Sequence, residues 1–190
     1  MLEAFAASAS IPVACTREPG GTVLGEKLRR MLIDPTGVMT AEAETLLVNA
    51  ARAELVDKVI EPALADGRLV LCDRFWDATI AYQGFGRGVA LEALLPLIMF
   101  AARRLCPDLT ILLELPVSVS RRRLGRRSDV ADRIEAESVA FHERVAHGYR
   151  RLAAAQAQRF VRLDATRPKP DIAQEIQQLI LARWLARPHS

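Results

Sequence analysis

An α/β fold with a parallel sheet is predicted by three observations along the 190 residues: four short apolar runs, helical apolar spacing between successive runs, and charged or glycine-bearing turns where runs end. The runs are Ile11–Cys15, Arg68–Cys72, Leu109–Leu115 and Arg159–Leu163. Each has strand length, and enough helical pattern separates it from the next to carry a parallel crossover. Ala41–Ala65 is predicted as a helix because Leu46, Leu47, Ala50, Leu55, Val59 and Leu64 recur at helical spacing. It should stop at Asp66-Gly67, where glycine accepts the left-handed conformation that ends a helix. Leu91–Leu105, Ser138–Ala157 and Asp171–Ala186 read as further helices, Asp34–Gly37 and Arg167–Pro170 as turns or loops, and Met1–Ser8 as the end of a helix. With no repeat, low-complexity stretch or linker, one domain over residues 1–190 is expected.

The 51% hydrophobic content suffices for a layered core, and the 26% charged fraction with a net charge of +3 describes a water-facing surface. Lysine occurs only at Lys27, Lys58 and Lys169, so the positive charge is almost all arginine, which forks onto phosphate oxygens. The pI near 9.0 permits nucleic-acid binding. However, the chain has no long basic tail and only two Tyr, two Trp and six Phe for base stacking, so a small phosphorylated ligand is the simpler expectation and no nucleic-acid partner is predicted. Cys15, Cys72 and Cys106 are widely spaced beside apolar segments, which suits buried reduced thiols better than a disulfide or metal site. Nothing reads as a signal peptide or a membrane span, and a cytoplasmic protein without membrane partner is expected. His142, His147 and His189 form no metal pattern, and Glu135 and Glu137 suit the positive end of a helix dipole.

The richest stretch is Val70–Gly84, in which an apolar strand delivers Asp73-Arg74 onto a polar turn and helix. An acid beside a base at a strand's carboxyl end suits an anionic ligand held with a cation. Asp73 could hold Mg or its waters, and Arg74 could grip a phosphate; the bland alternative is a strand-end ion pair. Tyr82 and Gln83 follow close enough to the strand end to meet a ligand held there, although a lone Tyr on a helix commonly packs. In Arg17-Glu18-Pro19-Gly20-Gly21 the glycines let backbone approach a ligand, and Arg17 and Glu18 bring opposite charges to a strand end. A turn with a surface ion pair is the plain reading. Arg121–Arg133 gathers six arginines around Gly125, which fits either phosphate neutralisation or an exposed basic helix face.

Taken in order, Thr16-Arg17-Glu18-Pro19-Gly20-Gly21-Thr22, the Asp73-Arg74 stretch and Asp132-Arg133-Ile134-Glu135 resemble bacterial thymidylate kinases. The resemblance runs from about Ile11 to the C-terminal helix. It implies a P-loop NTPase-like three-layer α/β/α fold, a lid at about residues 121–133, and a homodimer with Ala41–Ala65 and Leu91–Leu105 at the interface. It also implies transfer of the γ-phosphoryl group of ATP, with Mg, to dTMP, giving dTDP and ADP. By matching positions, Arg74, Asp73, Arg123, Arg127 and Arg133 are the catalytic candidates, with Asp73 assisting the metal. Arg17, Glu18, Pro19, Val48, Arg52, Ala78, Thr79, Tyr82 and Gln83 are the substrate-binding candidates, Arg52 matching the arginine that reaches thymine.

Departures from the family pattern accompany the likeness. No phosphate-binding glycine loop precedes the first motif, and the family's central first strand is missing with it. An internal start codon would explain this, and so would true loss in a degenerate paralogue. Without that loop catalysis is expected to be negligible, and the strands on either side of the gap would carry unpaired backbone unless they close on each other. Val48 stands where the family has a Phe that stacks on thymine, and Ala78 replaces a Ser, while Thr79 keeps a hydroxyl next door. These changes keep two alternatives open: a non-catalytic relative that binds a nucleotide or partner, and a kinase for another monophosphate.

Overall fold

The computed structural model describes residues 11–125 and 131–186; the expected helix end at Met1–Ser8 lies outside them. Strand β1 (Val13–Arg17) starts at Val13 because Pro12 has no N–H for the ladder and offers only its carbonyl, which accepts from Leu69. Strands β2 (Leu69–Asp73), β3 (Thr110–Glu114) and β4 (Phe160–Asp164) form at their apolar runs, and all pairing is parallel. The α/β class therefore holds. The sheet, however, is not continuous among the described residues: β1 pairs with β2, β3 pairs with β4, and the two pairs stay separate.

The backbone bonds say which way each strand faces. Leu69 donates to Pro12 and Asp73 accepts from Glu18, so alternate residues of β2 face β1, while Val70 and Cys72 direct their N–H and C=O groups the other way. Thr110 donates to Arg159 and Glu114 accepts from Ala165, so Ile111 and Leu113 likewise point away from β4. Both outward edges line one open cleft of about 2470 Å³.

Helix α1 (Val23–Ile33) is not among the helices predicted above; it starts where the Thr22 hydroxyl accepts from the Gly25 N–H at 2.9 Å. Helix α2 (Ala41–Leu55), capped by Thr40, continues through a π-helical turn at Val56–Ile60 into α3 (Glu61–Ala65). Pro62 lacks an N–H and crowds the carbonyl four residues back, which accounts for the wider turn just before it. The run ends as predicted: Gly67 takes φ 69° and donates to Leu64, while Arg68 donates to Ala63. After β2, α4 (Trp76–Thr79) leads into a π-helical stretch at Ile80–Gly86. Helix α5 (Leu91–Ala101) stops before Leu105 because Arg103 and Arg104 turn to φ 47° and 62°. Helices α6 (Val117–Leu124), α7 (Val139–Ala155) and α8 (Lys169–Leu185) complete the set. The last begins inside the predicted loop, since Pro170 in a first helical turn forfeits no bond.

The main core gathers Trp76, Ile80, Leu94, Ile98, Leu152 and Phe160 from the helical segments after β2, from α7 and from β4, and so joins the chain that follows the first strand pair to the second pair. A buried ion pair crosses the same boundary: Arg159 donates to Asp77 at 2.6 and 2.8 Å, and Trp76 lies 4.6 Å beneath its guanidinium. These contacts hold the two halves together where no strand ladder does.

Candidate active site

The parallel register sets Arg17 level with Asp73, so the two motif strands deliver their charged ends to one edge. At that edge Arg74 takes φ 68°, a left-handed conformation costing a non-glycine residue on the order of 1–2 kcal/mol, and turns out of the strand. Its guanidinium lies 5.3 Å from the centre of the Tyr82 ring, within cation–π range. Asp73, Arg74, Ala78, Tyr82 and Arg123 all line the cleft. Arg17 is exposed and shares Glu26 through two contacts of 3.1 Å; Gly21 N–H also donates to Glu26, which holds that carboxyl below the usual range. The Glu18-Pro19 peptide is cis, and the Pro19 carbonyl accepts from Arg29. Gly21 is required here twice over: its φ is 76°, and a Cβ would meet the Thr16 hydroxyl at 2.3 Å.

Behind this edge lies a buried polar wall. Arg52, 1% exposed, donates through Nε and Nη2 to Glu18 at 2.7 to 3.0 Å, through Nη1 to Asn49 and through Nη2 to Thr79 at 2.8 Å. Burial pushes the Glu18 carboxyl up and the Arg52 charge opposes that rise. Gln83 is buried too, its amide donating to Glu44 at 2.7 Å. Val48, on α2 with Arg52, and Ala78, next to Thr79, are both half-buried. Burial also lifts the Cys72 thiol far above its ordinary range; Cys15, Cys72 and Cys106 are all thiols, but Cys15 and Cys106 are exposed rather than buried as expected.

The arginine-rich segment divides. Arg123 is exposed on α6 and donates to the Ala165 carbonyl at 3.2 Å. Arg127 lies outside the described residues. Arg133 is largely enclosed: its Nε donates to the Leu32 carbonyl at 3.0 Å and its Nη2 lies 2.8 Å from Glu44. The turn before it is tied by Asp132, which accepts from Ile134 and Glu135 N–H groups while its own N–H donates to Glu135. So the structure gathers Asp73, Arg74, Ala78, Tyr82 and Arg123 at the cleft, packs Glu18, Arg52, Thr79 and Gln83 behind it, and engages Arg133 with α1 and α2.

Sequence reasoning passed over Asn49, Glu26, Glu44, Arg87 and Tyr149. Asn49 stands one helical turn before Arg52, and that spacing could have flagged it. Tyr149 meets Tyr82 edge-on at 6.3 Å, brought there by α7 packing against the π-helical stretch, a tertiary contact that leaves no local trace. Among the described residues no group of three or more His, Cys, Asp or Glu could by itself enclose a metal ion. A single exposed carboxylate such as Asp73 suits Mg, which keeps waters and takes other ligands from phosphates.

The family model for thymidylate kinase matches residues 1–176. The chain is 47% identical over 174 residues to a thymidylate kinase of Desulfovibrio desulfuricans, an alignment covering 88% of this chain and 80% of that one. It is 49% identical to a thymidylate kinase of Synechococcus sp. strain JA-3-3Ab, covering 90% and 81% of the two chains. A thymidylate kinase of Deinococcus radiodurans is 43% identical, with 96% and 88% covered. Likeness at this level over most of both partners, joined to a site edge built from Arg17, Asp73 and Arg74, leads to one conclusion: the chain belongs to the thymidylate kinase family.

Proposed function

We propose that this protein transfers the γ-phosphoryl group of ATP to dTMP, and that its described residues form the acceptor side. The observation carrying the reading is the Asp73-Arg74 pair at the end of β2, level with Arg17 and opening on the cleft above Tyr82. Arg74, turned out of the strand over an aromatic face, grips and orients the acceptor phosphate, with Arg17 beside it. Tyr82 and Thr79 bound the nucleoside, Pro19 and the Glu18 backbone shape the entrance, and Gln83 supports the wall from behind. Arg52 works on the base side by fixing Glu18 and Thr79. Val48 and Ala78 leave that pocket roomier than an aromatic and a hydroxyl would. Asp73 would hold Mg directly or through water, and the ion would supply neutralisation of phosphate charge. Arg123 and Arg127 are the arginines assigned to developing charge at the transferred group. Arg133, already engaged by Leu32 and Glu44, orients the segment that carries them.

Donor-phosphate binding calls for a glycine-loop nest and its lysine, which the described residues do not include. Turnover is therefore assigned to a form carrying such a loop. The apolar side chains exposed on α2 and α5, among them Leu46 and Phe100, support a homodimer through those helices.

Calorimetric titration with a panel of nucleoside monophosphates, paired with a coupled ATP-consumption assay, tests the reading. dTMP is expected to bind this chain, Arg74→Met to weaken that binding by about 10-fold or more through loss of a charge-assisted contact, and the loop-bearing form to consume ATP. Binding of another monophosphate in preference to dTMP would reassign the substrate, and binding without turnover by the loop-bearing form would favour a non-catalytic nucleotide binder.

A further inference from the structure

Phosphate gripping and charge neutralisation leave one buried carboxylate without a task. Glu44, 1% exposed on α2, accepts from Gln83 Nε2 at 2.7 Å and from Arg87 Nη2 at 3.0 Å, and pairs with Arg133 Nη2 at 2.8 Å. Arg87 reaches onward to the Glu137 carboxylate, with its guanidinium 4.6 Å from the centre of the Phe141 ring. The Glu137 carbonyl accepts from Arg121 Nη1 at 3.0 Å. Arg133, Glu44, Arg87 and Glu137 thus form a chain of alternating charge that sums to zero.

Both flanks of the arginine-rich segment converge on this chain: Arg121 enters it from α6 and Arg133 from the turn at residues 132–137. Its central carboxylate touches the candidate pocket, because Gln83, which donates to Glu44, follows Tyr82, the ring beneath Arg74. A path of direct contacts therefore runs from Arg74 through Tyr82, Gln83 and Glu44 to Arg133. Burial makes the central carboxylate decisive, since two guanidinium groups share it where solvent screens little.

We infer that Glu44 is a positioning residue that makes the turn at residues 132–137 respond to nucleotide held at Arg74. The inference rests on dTMP being the ligand of that site. Glu44→Gln keeps the shape and an acceptor oxygen, but leaves Arg87 and Arg133 facing a neutral group and unbalances the chain by one charge. The pocket side of the contact then survives while the turn is released from it.

Hydrogen exchange of the full chain, with and without saturating dTMP, reads this directly. In the wild type dTMP is expected to slow exchange both at residues 73–83 and at residues 132–137. In Glu44→Gln the protection at 73–83 persists and the response at 132–137 is lost. Arg133→Met cuts the same link from the other end and gives the same loss, and it decides the matter if Glu44→Gln does not fold. A merely structural role would move both regions together. Retention of the distal response in the variants, or its absence in a wild type protected at 73–83, overturns the inference alone. No protection at 73–83 in the wild type overturns the functional reading and this inference with it.

Discussion

Arg52 binds three side chains, Glu18, Asn49 and Thr79, in a space closed to water, so its loss leaves Glu18 buried and unpaired. Removing one member of such a pair costs about 3–5 kcal/mol. Arg52→Met should lower the urea midpoint accordingly, and a midpoint within error of wild type would contradict the pairing. Glu44 sets an acid limit. Burial alone would raise its carboxyl, yet hydrogen bonds from Arg87, Gln83 and Arg133 outweigh burial and hold it below the ordinary 4.5. Depression in the folded state means the stabilisation is complete above pH 4.5 and is lost as pH falls through the lower folded value. Stability measured from pH 6 downward should therefore fall less steeply in Glu44→Gln than in the wild type over the acid range (about pH 4.5 and below). At this scale Asp73, Arg74 and Arg17 were legible because each sits at a strand end beside a local motif. Glu18 with Arg52, 34 residues apart, could be named but not joined, since nothing local encodes a contact across that separation.

Helix α2 and its continuation were readable from apolar period and the Asp66-Gly67 stop, both local properties. The π-helical turn inside them was not, although Pro62 is its visible cause. Helix α1 escaped notice because Gly20, Gly21 and Gly25 argue for a loop, whereas Gly25 stands in the first turn and a Cβ there would meet the Gly20 carbonyl at 2.6 Å. Two other glycines decide how α7 meets the π-helical stretch at Ile80–Gly86. A Cβ at Gly148 would lie 2.8 Å from Phe85 Cδ2, and one at Gly86 would lie 2.8 Å from Phe141 Cε2. Gly148→Ala should push the elements apart at about 1–3 kcal/mol, the cost of overpacking a tight contact. Because Tyr149 follows Gly148 and braces Tyr82, thermal melting should fall and dTMP affinity with it; an unshifted melt would show that the interface yields freely.

Across the molecule, the parallel α/β class followed from alternating patterns, and strands left with an open edge were one of the two outcomes expected beside the first motif; which of the two occurs was not legible, because pairing partners are chosen by distant segments. Association is expected to depend on the apolar side chains exposed on α5. Phe100 is 84% exposed and Leu95 41%, so Phe100→Asp should shift sedimentation toward the monomer with little change in fold; an unchanged oligomer would remove α5 from the interface.

The outward edges of β2 and β3 leave a signature of their own. In β2 the amides of Leu69, Leu71 and Asp73 lie on the β1 side, while those of Val70 and Cys72 look into the cleft. Deuterium uptake resolved to single amides should consequently rise and fall with a two-residue beat along this strand. Ile111 and Leu113 should mark the quick beats on the opposite bank.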